Sequence, residues 1–249
     1  MSIAFPQKAT SDSVFVWIMH RMSEEFGDHA ILKGGMALRL LDCPRSTNDV
    51  DYVFVPFDSK KDIEKGFDGI LKDIPNAKIE KSMNSKAIRA KINVSGFPIQ
   101  IEAAVSLECK SAAVSTTPLA AKAGMLGRVI KIMSVDVALS NKIAAWNERR
   151  LYRDIYDIYY MYERLGVRPD RDTLISRLEK VESRIPRRKS VKKMNIVELT
   201  KEIENALNGI SGDGVRRELS MLLNETELAG LDLKFRAVMS KLREYLLSF

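Results

Sequence analysis

The feature that most constrains the fold is a pair of carboxylates on a segment that otherwise has the composition of a buried strand. Asp49 and Asp51 are separated by one residue and followed by Tyr52-Val53-Phe54-Val55, which ends at Pro56. This β-branched and aromatic run predicts a strand. Because side chains alternate along a strand, both acids leave the same face, about 7 Å apart. They would repel each other unless a cation lay between them, so the pattern indicates a divalent-metal site.

A glycine pair lies upstream of these acids. Ala30 to Lys33 is a short apolar run, Gly34-Gly35 interrupts it, and Met36 to Leu41 resumes with strong helix formers. The segment therefore predicts a strand, a turn and a helix. Backbone N–H groups at a helix N-terminus bind anions, and glycine lets a phosphate approach closely. A phosphate-binding turn next to metal-binding acids is typical of phosphoryl or nucleotidyl transfer.

Composition argues against several other classes of protein. No segment has the run of about 18 apolar residues that a membrane helix needs, and the N-terminus lacks the apolar region of a signal peptide. Cys43 and Cys109 have no metal-ligand spacing and predict no disulfide framework, which favours a cytoplasmic location. His20 and His29 are too few for a histidine-based metal site or a catalytic triad. The chain also lacks the P-loop motif.

The alternation of strand and helix patterns predicts an α+β fold with two lobes. Residues 1–133 predict a mixed sheet with flanking helices, and residues 134–249 predict an all-helical lobe. In the first lobe, two further helices and four further strands are expected at Ser11–Phe26 and Ser59–Leu71, and at Lys78–Glu80, Ala87–Val94, Pro98–Val105 and Gly127–Met133. In the second lobe, helices are expected near 134–149, 171–181, 196–207, 215–223 and 231–247.

The positive charge is unevenly distributed along the chain. Basic and acidic residues balance over residues 1–110, so the net charge of +7 lies in residues 111–249. This excess favours contact with a polyanion, although a solvated, lysine-rich helical surface would have the same composition. The segment Arg184–Lys193 is a cationic loop without aromatic residues, which is typical either of phosphate contact without base stacking or of a surface linker.

The glycine and aspartate motifs together resemble those of a known family. Leu32-Lys33-Gly34-Gly35-Met36-Ala37-Leu38, followed by Arg45-x-Thr47-x-Asp49-x-Asp51, is similar to the LKGGxAL…RxTxDxD signature of the AbiEii/AbiGii nucleotidyltransferase toxins. That family includes the MenT toxins and belongs to the polymerase-beta-type nucleotidyltransferase superfamily. Many of its members place a serine where this chain has Gly35. The resemblance implies that an NTP is bound by Lys33, Gly34, Gly35, Arg45 and Thr47.

A third acid is expected on a neighbouring strand. Gln100 and Glu102 share one face of the predicted strand Pro98–Val105. The resemblance implies that Glu102 is either the third metal ligand or the base that takes a proton from the attacking hydroxyl. The alternative is a solvent-exposed glutamate on an edge strand. Under the functional interpretation, Asp49, Asp51 and Glu102 are catalytic and hold Mg²⁺ or Mn²⁺.

Lys142 lies in an otherwise apolar stripe of the predicted helix 134–149. The other members of the stripe are Ala138, Leu139, Ala145 and Trp146, at helical spacing. The lysine could bury its stem and extend its ammonium to solvent without any function. A lysine on this helix contacts the nucleotide phosphates in the resembled family. The resemblance therefore implies that Lys142 is both catalytic and nucleotide-binding.

Two aspartates follow in a segment similar to the family's RxxRDxxD motif. Asp154 and Asp157 are three residues apart and so share a helix face. They could simply pair with Arg150 and Arg153, each four residues earlier, for a few tenths of a kcal/mol. The resemblance implies instead that Asp154 is a catalytic residue that holds Lys142 or the nucleotide, and that Asp157 is a second candidate for nucleotide binding.

These observations predict a Mg²⁺-dependent nucleotidyltransferase that transfers NMP from an NTP to an RNA acceptor. The family resemblance implies the toxin of a toxin–antitoxin or abortive-infection system, a cognate antitoxin, and a tRNA 3′ end as the leading acceptor. One alternative is a nucleic-acid- or protein-binding module with weak or lost catalysis, against which the retention of both Asp49 and Asp51 argues. Another is phosphoryl or nucleotidyl transfer to a protein or a small molecule.

Overall fold

The computed structural model describes residues 3–186 and 190–249 and confirms the predicted α+β class. The chain divides into two compact units, one ending at Ser134 and the other beginning at Val135. The first contains a seven-stranded mixed sheet with helices, and every regular element described in the second is helical. The functional roles assigned to residues 1–133 and 134–249 stay predictions. The centre of the predicted cationic loop, residues 187–189, lies outside the described residues.

The strands of the first unit are β1 Ala30–Lys33, β2 Asp49–Phe54, β3 Lys78–Met83, β4 Ile88–Val94, β5 Phe97–Val105, β6 Ser111–Ser115 and β7 Val129–Met133. They form one sheet with the order β3-β4-β5-β2-β1-β7-β6. Strand β2 runs antiparallel to β1 and parallel to β5, while β1 runs parallel to β7. Because β5 lies between β4 and β2, the edge-strand alternative for Glu102 is wrong.

Helices cover one face of this sheet. They are α1 Ser11–Phe26, α2 Gly34–Arg39, α3 Lys61–Lys72 and α4 Thr117–Lys122. Apolar residues of α1 and α3 share one buried cluster with alternate residues of the central strands, among them Leu32, Val50 and Tyr52. Burying these side chains drives the packing of helices on the sheet. The residues that alternate with them, including both aspartates of β2, therefore lie on the opposite face.

The second unit is built from helices of very different length. These are α5 Val135–Arg149, α6 Tyr152–Tyr159, α7 Arg171–Leu178, α8 Ile196–Leu207, α9 Gly212–Leu219, α10 Glu225–Leu228 and α11 Leu231–Leu247. A single π-helical turn, Tyr160–Arg164, continues α6. Arg150 has a positive φ of 57° and separates α5 from α6. In the described part of the chain, no helix combines the length and apolar character needed to cross a membrane.

A buried histidine links α1 to the start of α4. Nε2 of His20 lies 2.8 Å from the Thr116 hydroxyl, which also accepts a hydrogen bond from the Arg128 backbone N–H. Both side chains are almost completely buried. Burial, and secondarily the charge of Arg128, lower the pKa of His20 from 6.5 to about 4, although Glu24 acts in the opposite direction. The histidine is therefore neutral in the folded protein at neutral pH.

This histidine is expected to make the fold sensitive to mild acid. Between about pH 6.5 and 4 the unfolded state binds a proton at His20 that the folded state does not, so the free energy of unfolding decreases as the pH falls through this window. By pH 4.5 the protonation of His20 in the unfolded state lowers the free energy of unfolding by about 2–3 kcal/mol. Urea unfolding at pH 7 and pH 4.5 should show a larger loss of stability for the wild type than for His20→Gln. Equal losses would contradict this assignment.

Candidate active site

Three carboxylates lie on the same face of two neighbouring strands. Asp49 and Asp51 of β2 are opposite Gln100 and Glu102 of β5 in the parallel register. The residues that alternate with the aspartates are buried under the helices, whereas Asp49, Asp51 and Glu102 are each only partly buried. The structure thus places Glu102 directly beside Asp51, on the strand next to the Asp-x-Asp strand. The three predicted metal ligands occupy one patch at the centre of the sheet.

The glycine turn packs against this patch. Gly34 has a φ of +73°, a left-handed conformation that favours glycine. A Cβ atom at Gly34 would overlap the carboxylate of Asp51. A Cβ atom at Gly35 would lie 2.8 Å from Nη2 of Arg45 and 3.2 Å from the Thr47 hydroxyl. Gly34 is therefore favoured both by its φ and by its close approach to Asp51, whereas a side chain at position 35 would have to displace the Arg45 guanidinium.

The other predicted nucleotide-binding residues of the first unit, Lys33, Arg45 and Thr47, lie near this turn. Lys33, the last residue of β1, is opposite Asp51 in the antiparallel register. The Thr47 hydroxyl accepts a hydrogen bond from the Asp49 N–H at 3.2 Å, and the Arg45 guanidinium donates to the Ser46 carbonyl. Because α2 has only six residues, its dipole is short. Nearby cations and the backbone N–H groups at the start of α2 are the features that attract an anion.

The chemistry of the carboxylate patch fits a hard divalent cation. Its side-chain donors are carboxylate oxygens, which Mg²⁺ and Mn²⁺ prefer. One of them is already engaged, because Nε of Arg89 donates to Oε2 of Glu102 at 2.8 Å. Within residues 3–186 and 190–249, no three His, Cys, Asp or Glu side chains are arranged to hold a metal ion. Asp49 and Asp51 can act as a pair, and Glu102 can join them if its side chain turns from the conformation in which Arg89 holds it.

A second cluster of charges joins α5 to α6. Nζ of Lys142 lies 2.6 Å from Oδ2 of Asp157 and 3.4 Å from Oδ1 of Asp154. Arg149 donates to Asp154 through both Nε and Nη2, each at 2.6 Å. The two aspartate side chains are completely buried, while those of Lys142 and Arg149 are 19% and 24% exposed. The structure thus brings together all three predicted site residues of the second unit.

The geometry assigns different partners to the two aspartates. Asp154 receives the forked, charge-assisted pair from Arg149, and this interaction raises the pKa of Arg149 above its ordinary value. Asp157 makes the shorter of the two contacts to Lys142, although Asp154 was the expected holder of this lysine. An ammonium has three donors, so two contacts leave one for another acceptor.

Two interacting residues had not been expected. Arg89 is opposite Glu102 on β4, and Arg149 holds Asp154 across the break between α5 and α6. The alternative pairing of Asp154 with Arg150 assumed a continuous helix. The helix ends before Arg150, whose guanidinium contacts Glu202 and lies over the Trp146 ring. Recognising the break would have identified Arg149, and counting residues from the β4–β5 turn would have identified Arg89.

Solved structures share the fold of this chain at low sequence identity. The MenT4 nucleotidyltransferase toxin of Mycobacterium tuberculosis matches with a TM-score of 0.61 and 14% identity, covering 95% of this chain and 86% of the toxin. JHP933 of Helicobacter pylori matches with a TM-score of 0.54 and 13% identity over 96% and 95% of the two chains. A putative nucleotidyltransferase of H. pylori gives 0.52 and 13% over 97% and 98%. Comparison with curated protein sequences gave no significant match.

Family-level comparison is more specific than these shared folds. The model of the nucleotidyl transferase AbiEii toxins, described as belonging to type IV toxin–antitoxin systems, matches residues 17–241. This range contains every predicted site residue of both units and confirms the predicted nucleotidyltransferase class. Since the match spans most of the sequence, the chain belongs to the AbiEii family of nucleotidyltransferase toxins.

Proposed function

We propose that this toxin transfers a nucleoside monophosphate from an NTP to an RNA acceptor in the cytoplasm, with the tRNA 3′ end as the leading candidate. The observation that carries the proposal is the placement of Asp49, Asp51 and Glu102 on one sheet face beside the Gly34-Gly35 turn. Membership of a toxin–antitoxin family implies an NTP substrate and a cognate antitoxin. The excess positive charge of residues 111–249 supports a polyanionic acceptor.

In this proposal the carboxylate patch holds Mg²⁺ or Mn²⁺. Asp49 and Asp51 are the first two ligands, and Glu102 is the third once it has left Arg89. When bound, such ions neutralise phosphate oxygens and favour deprotonation of the attacking hydroxyl. Glu102 has the alternative role of accepting that proton itself. The hydrogen-bonded pairing of β2 with β5 fixes the backbones of both strands, so only the Glu102 side chain has to move to join the aspartates.

The glycine turn binds the triphosphate in the proposed reaction. Gly34 and Gly35 let phosphate oxygens approach the backbone N–H groups, and Lys33 and Arg45 add positive charge beside them. Thr47 fixes the start of β2 through its hydrogen bond to the Asp49 N–H. The acceptor hydroxyl oxygen then bonds to the α-phosphorus, the bond from that phosphorus to the bridging oxygen breaks, and pyrophosphate leaves.

Lys142 has a complementary role in the second unit. We assign its third ammonium proton to a nucleotide phosphate, since the other two point to Asp157 and Asp154. The aspartates hold the ammonium in place, and Arg149 in turn holds Asp154. A lysine oriented in this way loses little conformational freedom on binding, which favours stabilisation of charge on the departing phosphates.

The transfer reaction provides the direct test. Purified wild type, Asp51→Asn and Glu80→Gln are incubated with each α-phosphate-labelled NTP, Mg²⁺ and total cellular RNA, and the products are separated by denaturing electrophoresis. We expect label on a tRNA-sized RNA with the wild type and a decrease of at least about 100-fold in Asp51→Asn. Glu80→Gln removes an exposed carboxylate from β3 of the same sheet and should leave the reaction intact. EDTA should abolish it.

Each other outcome has a defined meaning. Full activity in Asp51→Asn would exclude the proposed metal ligands, and full activity in EDTA would exclude metal dependence. Label on a protein in place of RNA would exclude the RNA acceptor and favour protein nucleotidylation. Label on RNA larger than tRNA would retain nucleotidyl transfer but exclude the tRNA acceptor.

The role of Lys142 can be separated from its contribution to folding. Lys142→Met should lower the free energy of unfolding by about 3 kcal/mol, because it removes a cation from two buried carboxylates. Lys142→Met/Asp157→Asn should recover part of that loss, since one buried charge is removed as well. Urea unfolding measures both effects.

The double variant should recover stability but not nucleotide affinity. Titration calorimetry with a non-hydrolysable NTP analogue and Mg²⁺ should show weak binding in Lys142→Met and equally weak binding in the double variant, because neither has the ammonium. Asp157→Asn alone keeps Lys142 and should bind at least tenfold more tightly than either. If affinity recovered together with stability, Lys142 would have a structural role only.

A further inference from the structure

The Arg89–Glu102 pair lies within the proposed metal site. Strands β4 and β5 are joined at Ser95-Gly96, where both residues have a positive φ. This tight turn sets the antiparallel register that brings Arg89 opposite Glu102. Nε of Arg89 donates to Oε2 of Glu102 at 2.8 Å, and the two side chains are 44% and 23% exposed. The pair is therefore built into the hairpin but remains accessible to solvent.

Glu102 has a cation on one side and an acid on the other. Its neighbour on β4 is Arg89, and its neighbour on β2 is Asp51. A carboxylate between these two is attracted to the first and repelled by the second. Glu102 therefore stays with Arg89 as long as no metal ion is bound by the aspartates. The contact holds Oε2 of Glu102 in a conformation in which, within the described residues, no three carboxylates are arranged to bind a metal ion. Recruiting Glu102 to the metal therefore requires its side chain to turn, which competes with the Arg89 contact.

We propose that Arg89 is a positioning residue that holds Glu102 away from the metal until a nucleotide binds. This inference rests on the proposed function, because it assumes that Glu102 is the third ligand. The partly exposed ion pair is weak enough to be exchanged. A guanidinium binds phosphate in the same forked geometry as a carboxylate, so the triphosphate is a suitable new partner for Arg89. The site then completes its ligand set only when substrate is present.

Metal binding without nucleotide tests the proposal independently of catalysis. Titration calorimetry with Mn²⁺ should show about two- to five-fold tighter binding in Arg89→Gln than in the wild type, the range expected for release of a partly exposed ion pair. Lys91→Gln is the matched control. It removes a positive charge from the same face of β4, but Lys91 is opposite Gln100 and Glu80 and does not hold Glu102. Its Mn²⁺ affinity should stay close to that of the wild type.

Two further measurements complete the test. The higher Mn²⁺ affinity of Arg89→Gln should be absent in Arg89→Gln/Glu102→Gln, since it depends on the Glu102 carboxylate that Arg89 no longer holds. A non-hydrolysable NTP analogue should remove the difference between Arg89→Gln and the wild type, because the phosphates then occupy Arg89. The proposal would be overturned if Arg89→Gln bound Mn²⁺ no more tightly than the wild type, or if Lys91→Gln bound it as tightly as Arg89→Gln. It would also be overturned if the double variant kept the higher Mn²⁺ affinity, or if Arg89→Gln and the wild type still differed with the analogue bound.

Failure of the proposed metal site gives a different result. In that case Mn²⁺ would bind no more weakly to Asp51→Asn than to the wild type, whatever residue stands at position 89. If Asp51→Asn does weaken Mn²⁺ binding but Arg89→Gln has no effect, the metal site stands and only the role of Arg89 is excluded. Circular dichroism of each variant confirms that the fold is retained before these affinities are compared.

Discussion

The alternation of side chains along β2 is the constraint on which both the core and the site depend. The strand buries Val50 and Tyr52 under the helices and presents Asp49 and Asp51 on the other face. A shift of register by one residue would place both acids in the core and expose the apolar residues, at a cost of many kcal/mol. The hydrophobic pattern that folds the sheet therefore also determines the face on which the carboxylates appear.

Elements with strong periodicity could be predicted from the sequence, whereas long-range pairings could not. The predicted helices Ser11–Phe26, 196–207 and 231–247 have the same bounds in the structure. Strand β6 and helix α4 were missed. The β6 segment Ser-Ala-Ala-Val-Ser lacks the β-branched and aromatic content of a typical strand. The parallel pairing of β2 with β5 joins segments about fifty residues apart, and no local signal encodes it. The motif resemblance alone suggested where Glu102 would lie.

The pairings of Arg89 and Arg149, which the sequence analysis missed, are determined by local backbone structure. The two-residue turn at Ser95-Gly96 determines that Arg89 faces Glu102, so this pair could have been derived from the sequence. The Arg149–Asp154 pair could not, since it depends on a positive φ at Arg150, a residue type that does not signal a helix break. Spacing rules for a continuous helix point to Arg150 as the partner of Asp154 and thus give the wrong residue.

The tight packing around Gly35 also bears on how the family can diverge. Many members have a serine at this position, yet here any side chain would meet the Arg45 guanidinium and the Thr47 hydroxyl. Positions 35 and 45 are thus in contact, and a side chain at the first requires the flexible guanidinium at the second to shift. Divergence at position 35 therefore needs only a change in the direction of this cation, not its loss.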